Sequence, residues 1–471
     1  MNDYVWPVLS LLLGTVALGV VTKLRVGYLL SPFSVSIVML MAIFGVRPIL
    51  ISQDPYHTFY GYSVSGGLND AALIGFVGIV GLVSGYGVRS APQHGPLQEI
   101  VVAGEPSGRR IRLKSLHVVT ICIVAVGLWL ALMAARFGGA SALALMAGGR
   151  SSDVSGVLAG LPVFIYALPA SAAMVVAFWR ASEERNTPFD LRMKLVFWAL
   201  IALCIVPPVL LGNRRFILPC LIAALLASVT RKWNTPVKLR ALLLGFLGFS
   251  ALAVIPFIRS AGSRSEGDSL AAAMIGFIRE EGFGGIVTNF FTSYDTEMLD
   301  YIAFMVPRLG MSSAWGYGRG LVLDIITAPI PSGLLPVPSW SNQVLIDSFG
   351  RSCATGICPV PSVVGTGYFD FGIFGVVLVT FALGWLCRLF ELKIRTSSGV
   401  SLLAVLVFGS LPATAVRGNF PSHLWIGLNI FIVSAMMVIA AQIVSRRAPK
   451  KLVPTREPQE AILAPKRGGR V

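Results

Sequence analysis

Long uninterrupted apolar stretches separated by short polar segments dominate the chain. Runs approaching the ~20 residues that cross a bilayer occur at 5–22, 28–46, 71–88, 116–135, 156–179, 194–211, 216–230, 241–258, 366–387, 400–416 and 424–444. The pattern predicts about eleven transmembrane helices. The run 216–230 is the shortest and contains Pro219, so a re-entrant segment is an alternative reading there. The first run follows Asn2-Asp3 without a basic leader or a small-residue cleavage site, which reads as a retained span. The expected fold class is an all-α polytopic membrane protein. Helices 1–8 fall within residues 1–258, one long outer loop covers 259–365, helices 9–11 fall within 366–444, and a polar, basic cytoplasmic tail covers 445–471. A loop of that length is usually a lid or binding element. Its amphipathic patches, 270–279 and 295–306, predict short helices folded over the mouth of the bundle.

Composition sharpens this picture. Hydrophobic residues make up 55% of the 471 and charged residues 13%, too few charges to clothe a soluble surface. A free soluble enzyme and a disordered chain are thereby excluded. The net charge of +16 would suggest nucleic acid in a soluble protein. Here, however, the basic residues follow alternate spans: Lys23 and Arg25, then Arg89 with Arg109 to Lys114, Arg180 to Lys194, Arg231 to Arg240, Arg388 to Arg395, and the tail. The positive-inside rule makes these segments cytoplasmic, with the N-terminus outside and the C-terminus inside. No nucleic-acid partner is expected, and the lipid bilayer is the surrounding medium. The other side carries Arg47, Arg136, Arg150, Arg214, Arg215, Arg259, Arg264, Arg279, Arg308, Arg319, Arg351 and Arg417, whereas all nine lysines lie on the inner side. The guanidinium fork grips phosphate or carboxylate bidentately, which a lysine cannot do. Because 29 of the 38 basic residues are arginine, chance accounts for the bias equally well.

Several outer residues form candidate chemistry. Gly212-Asn213-Arg214-Arg215 reads as a hairpin placing two guanidiniums at the membrane surface, either for outer-leaflet headgroups or as a clamp on the pyrophosphate of a lipid carrier. Arg259 and Arg264 leave the eighth span, and Arg417 opens the last outer loop; together these would surround an anionic head. Asp295, Glu297 and Asp300 lie among Tyr294 and Tyr301, where a carboxylate could deprotonate a sugar hydroxyl and a Tyr face could stack on a sugar. A solvated helix face explains the same spacing. His423 lies six residues beyond Arg417 and is a second candidate base, with structural hydrogen bonding as the alternative. His57, the other outer histidine, falls in a Tyr-rich loop. Cys353 and Cys358, five residues apart in the outer loop, predict a small disulfide. Scattered histidines and the lack of a CxxC spacing give no metal site.

The stretch from Ser362 to Gly375, Ser-Val-Val-Gly-Thr-Gly-Tyr-Phe-Asp-Phe-Gly-Ile-Phe-Gly, resembles the motif that ends the long outer loop of bacterial Wzy-type O-antigen polymerases. The Gly-Asn-Arg-Arg hairpin and Arg417-Gly418-Asn419 are similar to that family's arginine positions. Gly372 and Gly375 equally suit close packing of the helix start against a neighbour. The family often carries Glu near the position of Thr366, where Asp370 is a nearby carboxylate. The resemblance implies a metal-independent, cofactor-free glycosyltransferase that transfers a growing glycan from undecaprenyl pyrophosphate onto a new lipid-linked repeat unit, in the bacterial inner membrane, working beside a flippase and a chain-length regulator. Arg214, Arg215, Arg259, Arg264, Arg417, Tyr294 and Tyr368 would bind pyrophosphate and glycan, and Asp295, Asp300 or His423 would act as base. An O-antigen ligase shares the loop and the carrier. A transporter or flippase of lipid-linked sugars is the rival from another class; an odd span count, a one-sided loop and the lack of an inverted repeat argue against it.

Overall fold

The computed structural model of the chain describes residues 4–23, 31–88 apart from Pro55, 113–137, 163–183, 190–210, 214–229, 296–330 apart from Pro329, 340–349 and 360–447, with scattered positions between 279 and 292. Helix α1 spans Val5–Lys23 and α2 spans Pro32–Ile51. A hairpin of β1 (Thr58–Phe59) and β2 (Tyr62–Ser63) leads into α3 (Ser65–Gly87). Next come α4 (Ser115–Phe137), α5 (Val163–Glu183), α6 (Leu191–Leu210) and α7 (Arg214–Val229). The region expected as a lid contains α8 (Met298–Met305), a helical segment α9 over 319–327, and α10 (Trp340–Phe349). Helices α11 (Ser362–Thr396), α12 (Gly399–Arg417) and α13 (Phe420–Arg447) follow.

This is an all-α bundle of membrane-protein character. Among the described residues seven helices, α2, α3, α4, α6, α11, α12 and α13, are long and apolar enough to cross a bilayer, and Val5–Val21 and Phe216–Ser228 are shorter apolar helices. The expected run 241–258 and the tail beyond Arg447 lie outside the described residues; Ser445–Arg447 continue α13. Arg214 and Arg215 occupy the first turn of α7 rather than a hairpin.

Helices in lipid gain little from hydrophobic exclusion, since lipid is as apolar as leucine, and rely instead on close backbone approach. The contact of α3 with α11 is built that way: a Cβ at Gly85 would collide with the Phe381 carbonyl, and one at Gly384 with the Leu82 carbonyl. The same logic seats α8 on the start of α3, where a Cβ at Gly67 would strike the Ala303 carbonyl. A second packing centre surrounds α5, whose residues Ala172 to Ala177 are fully buried among α4, α6, α7, α12 and α13.

Two backbone irregularities shape the end of the bundle that carries α8. In α2 the turn Ala42–Val46 is π-helical. It ends just before Arg47-Pro48, and the widened turn accommodates the Pro48 ring, which would otherwise clash with the Phe44 carbonyl four residues back. In α11 Phe371 and Gly372 leave the helical region, Gly372 with φ 62°. This breaks α11 into legs 362–370 and 373–396. The neighbour against which Gly375 packs is the chain's own first leg: a Cβ there would hit the Gly367 carbonyl.

Candidate functional site

The polar centre of the molecule is Arg47. Its Nε donates to Asp300 Oδ1 at 3.0 Å and its Nη2 to Asp300 Oδ2 at 2.6 Å. Nη1 donates to Thr296 Oγ1 at 2.7 Å and to the Phe291 carbonyl at 2.9 Å. Arg47 and Asp300 are each 2% exposed. One guanidinium therefore ties the end of α2 to the segment entering α8, 253 residues away. A bidentate pair with its remaining donor satisfied is the arrangement in which a buried ion pair is tolerated.

His57 joins this pair. Its Nε2 lies 2.8 Å from Asp300 Oδ2, and its side chain is partly exposed. Local structure places it there. Asp54 Oδ1 accepts from the Tyr56 amide, and the Asp54 carbonyl accepts from the His57 amide, which turns the chain out of α2. The hairpin then closes through Tyr60 and Gly61, both at positive φ, 50° and 86°, as a two-residue type I′ connection requires. Phe59 is buried against Tyr301 and Phe304 of α8, with ring centroids 5.6 and 5.7 Å apart. An ionised Asp300 can only accept, so it selects the tautomer with hydrogen on Nε2 and leaves the lone pair on Nδ1.

Two carboxyl groups on adjacent turns are driven apart in acidity. Burial opposes ionisation of Asp300, but Arg47 and the His57 hydrogen bond outweigh it and hold the group below the usual carboxylate range. Glu297 is 6% exposed; burial pushes its carboxyl up to about 8, Arg47 offsets part of that, and Asp300 adds to it. The two neighbouring carboxyls thus favour different states, Asp300 the anion and Glu297 the neutral acid.

The remaining expected residues are distributed around the first leg of α11. Gly365 packs on Ile302 of α8, and Tyr301 meets Phe369 edge to face at 5.3 Å. Ser362 Oγ donates to the Val416 carbonyl at 2.5 Å, which brings the end of α12, with Arg417, to that leg; His423 is buried. A Cβ at Gly418 would collide with the His423 ring. Tyr368 is partly buried and meets Trp315 at 5.8 Å. Asp300 and Arg417 thus both lie on elements that touch the first leg of α11. The side chains of Arg214 and Arg215, and all of Arg259, Arg264, Tyr294, Asp295, Cys353 and Cys358, lie outside the described residues.

Three expectations change. Asp300, a candidate base, is locked between Arg47 and His57 rather than free in a solvated face. His57, set aside as a residue of a Tyr-rich loop, is the imidazole that the carboxylate holds; its spacing of ten residues from Arg47 carries no signal in sequence. Asp370, the carboxylate near Thr366, accepts the amides of Gly320 and Leu321 at 3.1 and 2.7 Å and thereby pins the start of α9. Among the described residues no group of three or more His, Cys, Asp or Glu could hold a metal ion. No family model, curated protein or solved structure matches the chain.

Proposed function

We propose that the chain is a membrane glycosyltransferase that polymerises undecaprenyl-pyrophosphate-linked repeat units into a surface polysaccharide, with the end bearing Arg47 and α8 facing outward. About eleven spans, an outer N-terminus and a cytoplasmic C-terminus belong to the same reading. The observation that carries it is the His57–Asp300 hydrogen bond of 2.8 Å, locked by Arg47 beneath the expected lid. His57 Nδ1 takes the proton of the acceptor sugar hydroxyl as the new glycosidic bond forms. Asp300 holds the ring in the required tautomer and stabilises the imidazolium. The pyrophosphate leaves as an anion and needs fixed cations rather than a proton. Arg417 supplies one such charge beside the first leg of α11, and Arg214, Arg215, Arg259 and Arg264 are proposed to complete the set, with Tyr294 and Tyr368 against the sugar. Asp295 and His423 remain alternative bases.

The test is glycan elongation by the purified protein in detergent, supplied with a synthetic lipid-linked repeat unit. His57→Gln is expected to lower the rate roughly 10²–10⁴-fold. An unchanged rate would remove His57 from the mechanism. Absence of any elongated glycan with the unsubstituted protein would sink the polymerase reading and favour movement of lipid-linked sugars instead.

A further inference from the structure

We infer that α9 is immersed in the membrane, its apolar face against the acyl chains of the leaflet at the site-bearing end, so that this part of the lid is a lipid-embedded element and not a solvated loop. The inference is independent of the glycosyltransferase reading.

The inner face of α9 is fully committed to protein. Gly320 and Asp324 are buried, the Gly320 and Leu321 amides are held by Asp370 of α11, and the Asp324 carboxylate accepts the Trp340 amide at 3.0 and 3.1 Å. The Ile325 carbonyl accepts from Trp425 Nε1 of α13 at 2.6 Å. The segment is thus clamped between α11 and α13, in a fixed rotation. That rotation turns Val322, Leu323 and Ile326 outward, with Val322 57% and Ile326 60% exposed. A helix washed by solvent presents polar residues on its outer face, and between Val322 and Ile326 the one polar residue of this helix is the buried Asp324.

The patch is continuous with the lipid-facing side of α11. Phe374, Leu378 and Phe381 follow one another at helical spacing on the long leg, Phe371 sits at the break before it, and all four are exposed, Phe374 at 71%. A Cβ at Gly318, just before α9, would lie 3.3 Å from the Phe371 ring and 3.9 Å from Val322. The exposed stripe of the spanning leg therefore runs on into α9 without a polar break. Exposed Tyr317 precedes α9 and the half-buried Trp425 donates to its Ile325 carbonyl, so two aromatic residues with a polar edge border the segment, the residue type that marks the interface between hydrocarbon and water. Arg319, the exposed charge of the segment, has its guanidinium over the Trp340 ring at 4.9 Å.

The experiment places spin labels on Val322→Cys and Ile326→Cys in the full-length protein reconstituted in phosphatidylglycerol–phosphatidylethanolamine vesicles, with the signal of the equally treated parent chain subtracted. Phe381→Cys serves as the lipid reference. Met311→Cys, an exposed lid position, serves as the aqueous reference. Labels at 322 and 326 are expected to collide with oxygen and to be shielded from a water-soluble nickel chelate at least fivefold more than the label at 311, matching that at 381. Chelate collision equal to that at 311 would overturn the proposal in favour of a solvated face. Shielding from both reagents would overturn it in favour of cover by protein, whether a second copy or a partner.

Discussion

The two packing centres bury polar groups in opposite ways. Around α5 they are mostly short hydroxyls and thiols satisfied by carbonyls within reach: Ser434 Oγ donates to the carbonyls of Ile430 and Ser171, Ser171 Oγ to that of Ile430, and Cys220 Sγ to that of Phe216, while the one buried charge described there, Arg180, lies over the Phe197 ring at 5.5 Å. Around α3 and α11 carboxylates join the hydroxyls. Among the described residues every buried carboxylate, Glu297, Asp300, Asp324, Asp370 and Glu391, belongs to this second half. Hydroxyls cost little to bury because helices supply acceptors everywhere. A carboxylate needs a dedicated partner from elsewhere in the chain, and such groups in a membrane protein mark function more than stability. The α5 half reads as scaffold, and the half with the carboxylates is where the proposed function would place the chemistry.

Substitutions can break or sharpen that contrast. The largest effect is expected from Asp300→Ala, which strands a buried guanidinium and should cost about 3–5 kcal/mol in the thermal unfolding of the detergent-solubilised protein. The double variant Arg47→Met with Asp300→Leu should recover much of that loss, and no recovery would mean that the pair contributes net stability. Gly384→Leu comes next: its side chain meets the Leu82 carbonyl, forces α3 from α11 and should cost about 1–3 kcal/mol, read in the same melt. Glu297→Gln acts through pH. The folded protein keeps a proton that the unfolded chain releases between the ordinary value of 4.5 and about 8, so stability falls as pH rises through that window. The variant should flatten this decline, and an unchanged slope between pH 5 and 8 would contradict a neutral Glu297. Ser434→Ala in the scaffold half should cost about 1 kcal/mol or less. A loss equal to that of Asp300→Ala would erase the distinction.

Much of the scaffold is legible in the order of residues. The runs 28–46, 71–88, 116–135, 194–211, 400–416 and 424–444 correspond to α2, α3, α4, α6, α12 and α13, because the length of an apolar run is set by the bilayer and needs no knowledge of neighbours. The run 366–387 is only half of its story. The break at Phe371-Gly372 arises where two legs of one helix touch through Gly367 and Gly375, so the glycines that suggest close packing do not reveal what they pack against. The patch 295–306 does contain a helix, Met298–Met305, but all eight of its residues are buried because Gly67 admits it against α3. Asp300 is recognisable as a carboxylate among aromatics. Arg47 is one of twelve indistinguishable arginines, and His57 has no local feature to recommend it.

By itself, then, the amino-acid sequence determined the medium in which the protein folds, the positions of most spans and the presence of a long connection rich in candidate groups, because each follows from local apolar length and charge. The tertiary structure alone decided which arginine is paired, which carboxylate is ionised and which histidine is held. Those properties depend on partners 243 to 253 residues apart, brought together by backbone contacts at glycine and removed together from water. No local pattern encodes such a meeting, since ionisation depends on desolvation and the nearest charge, and neither exists before the chain is packed.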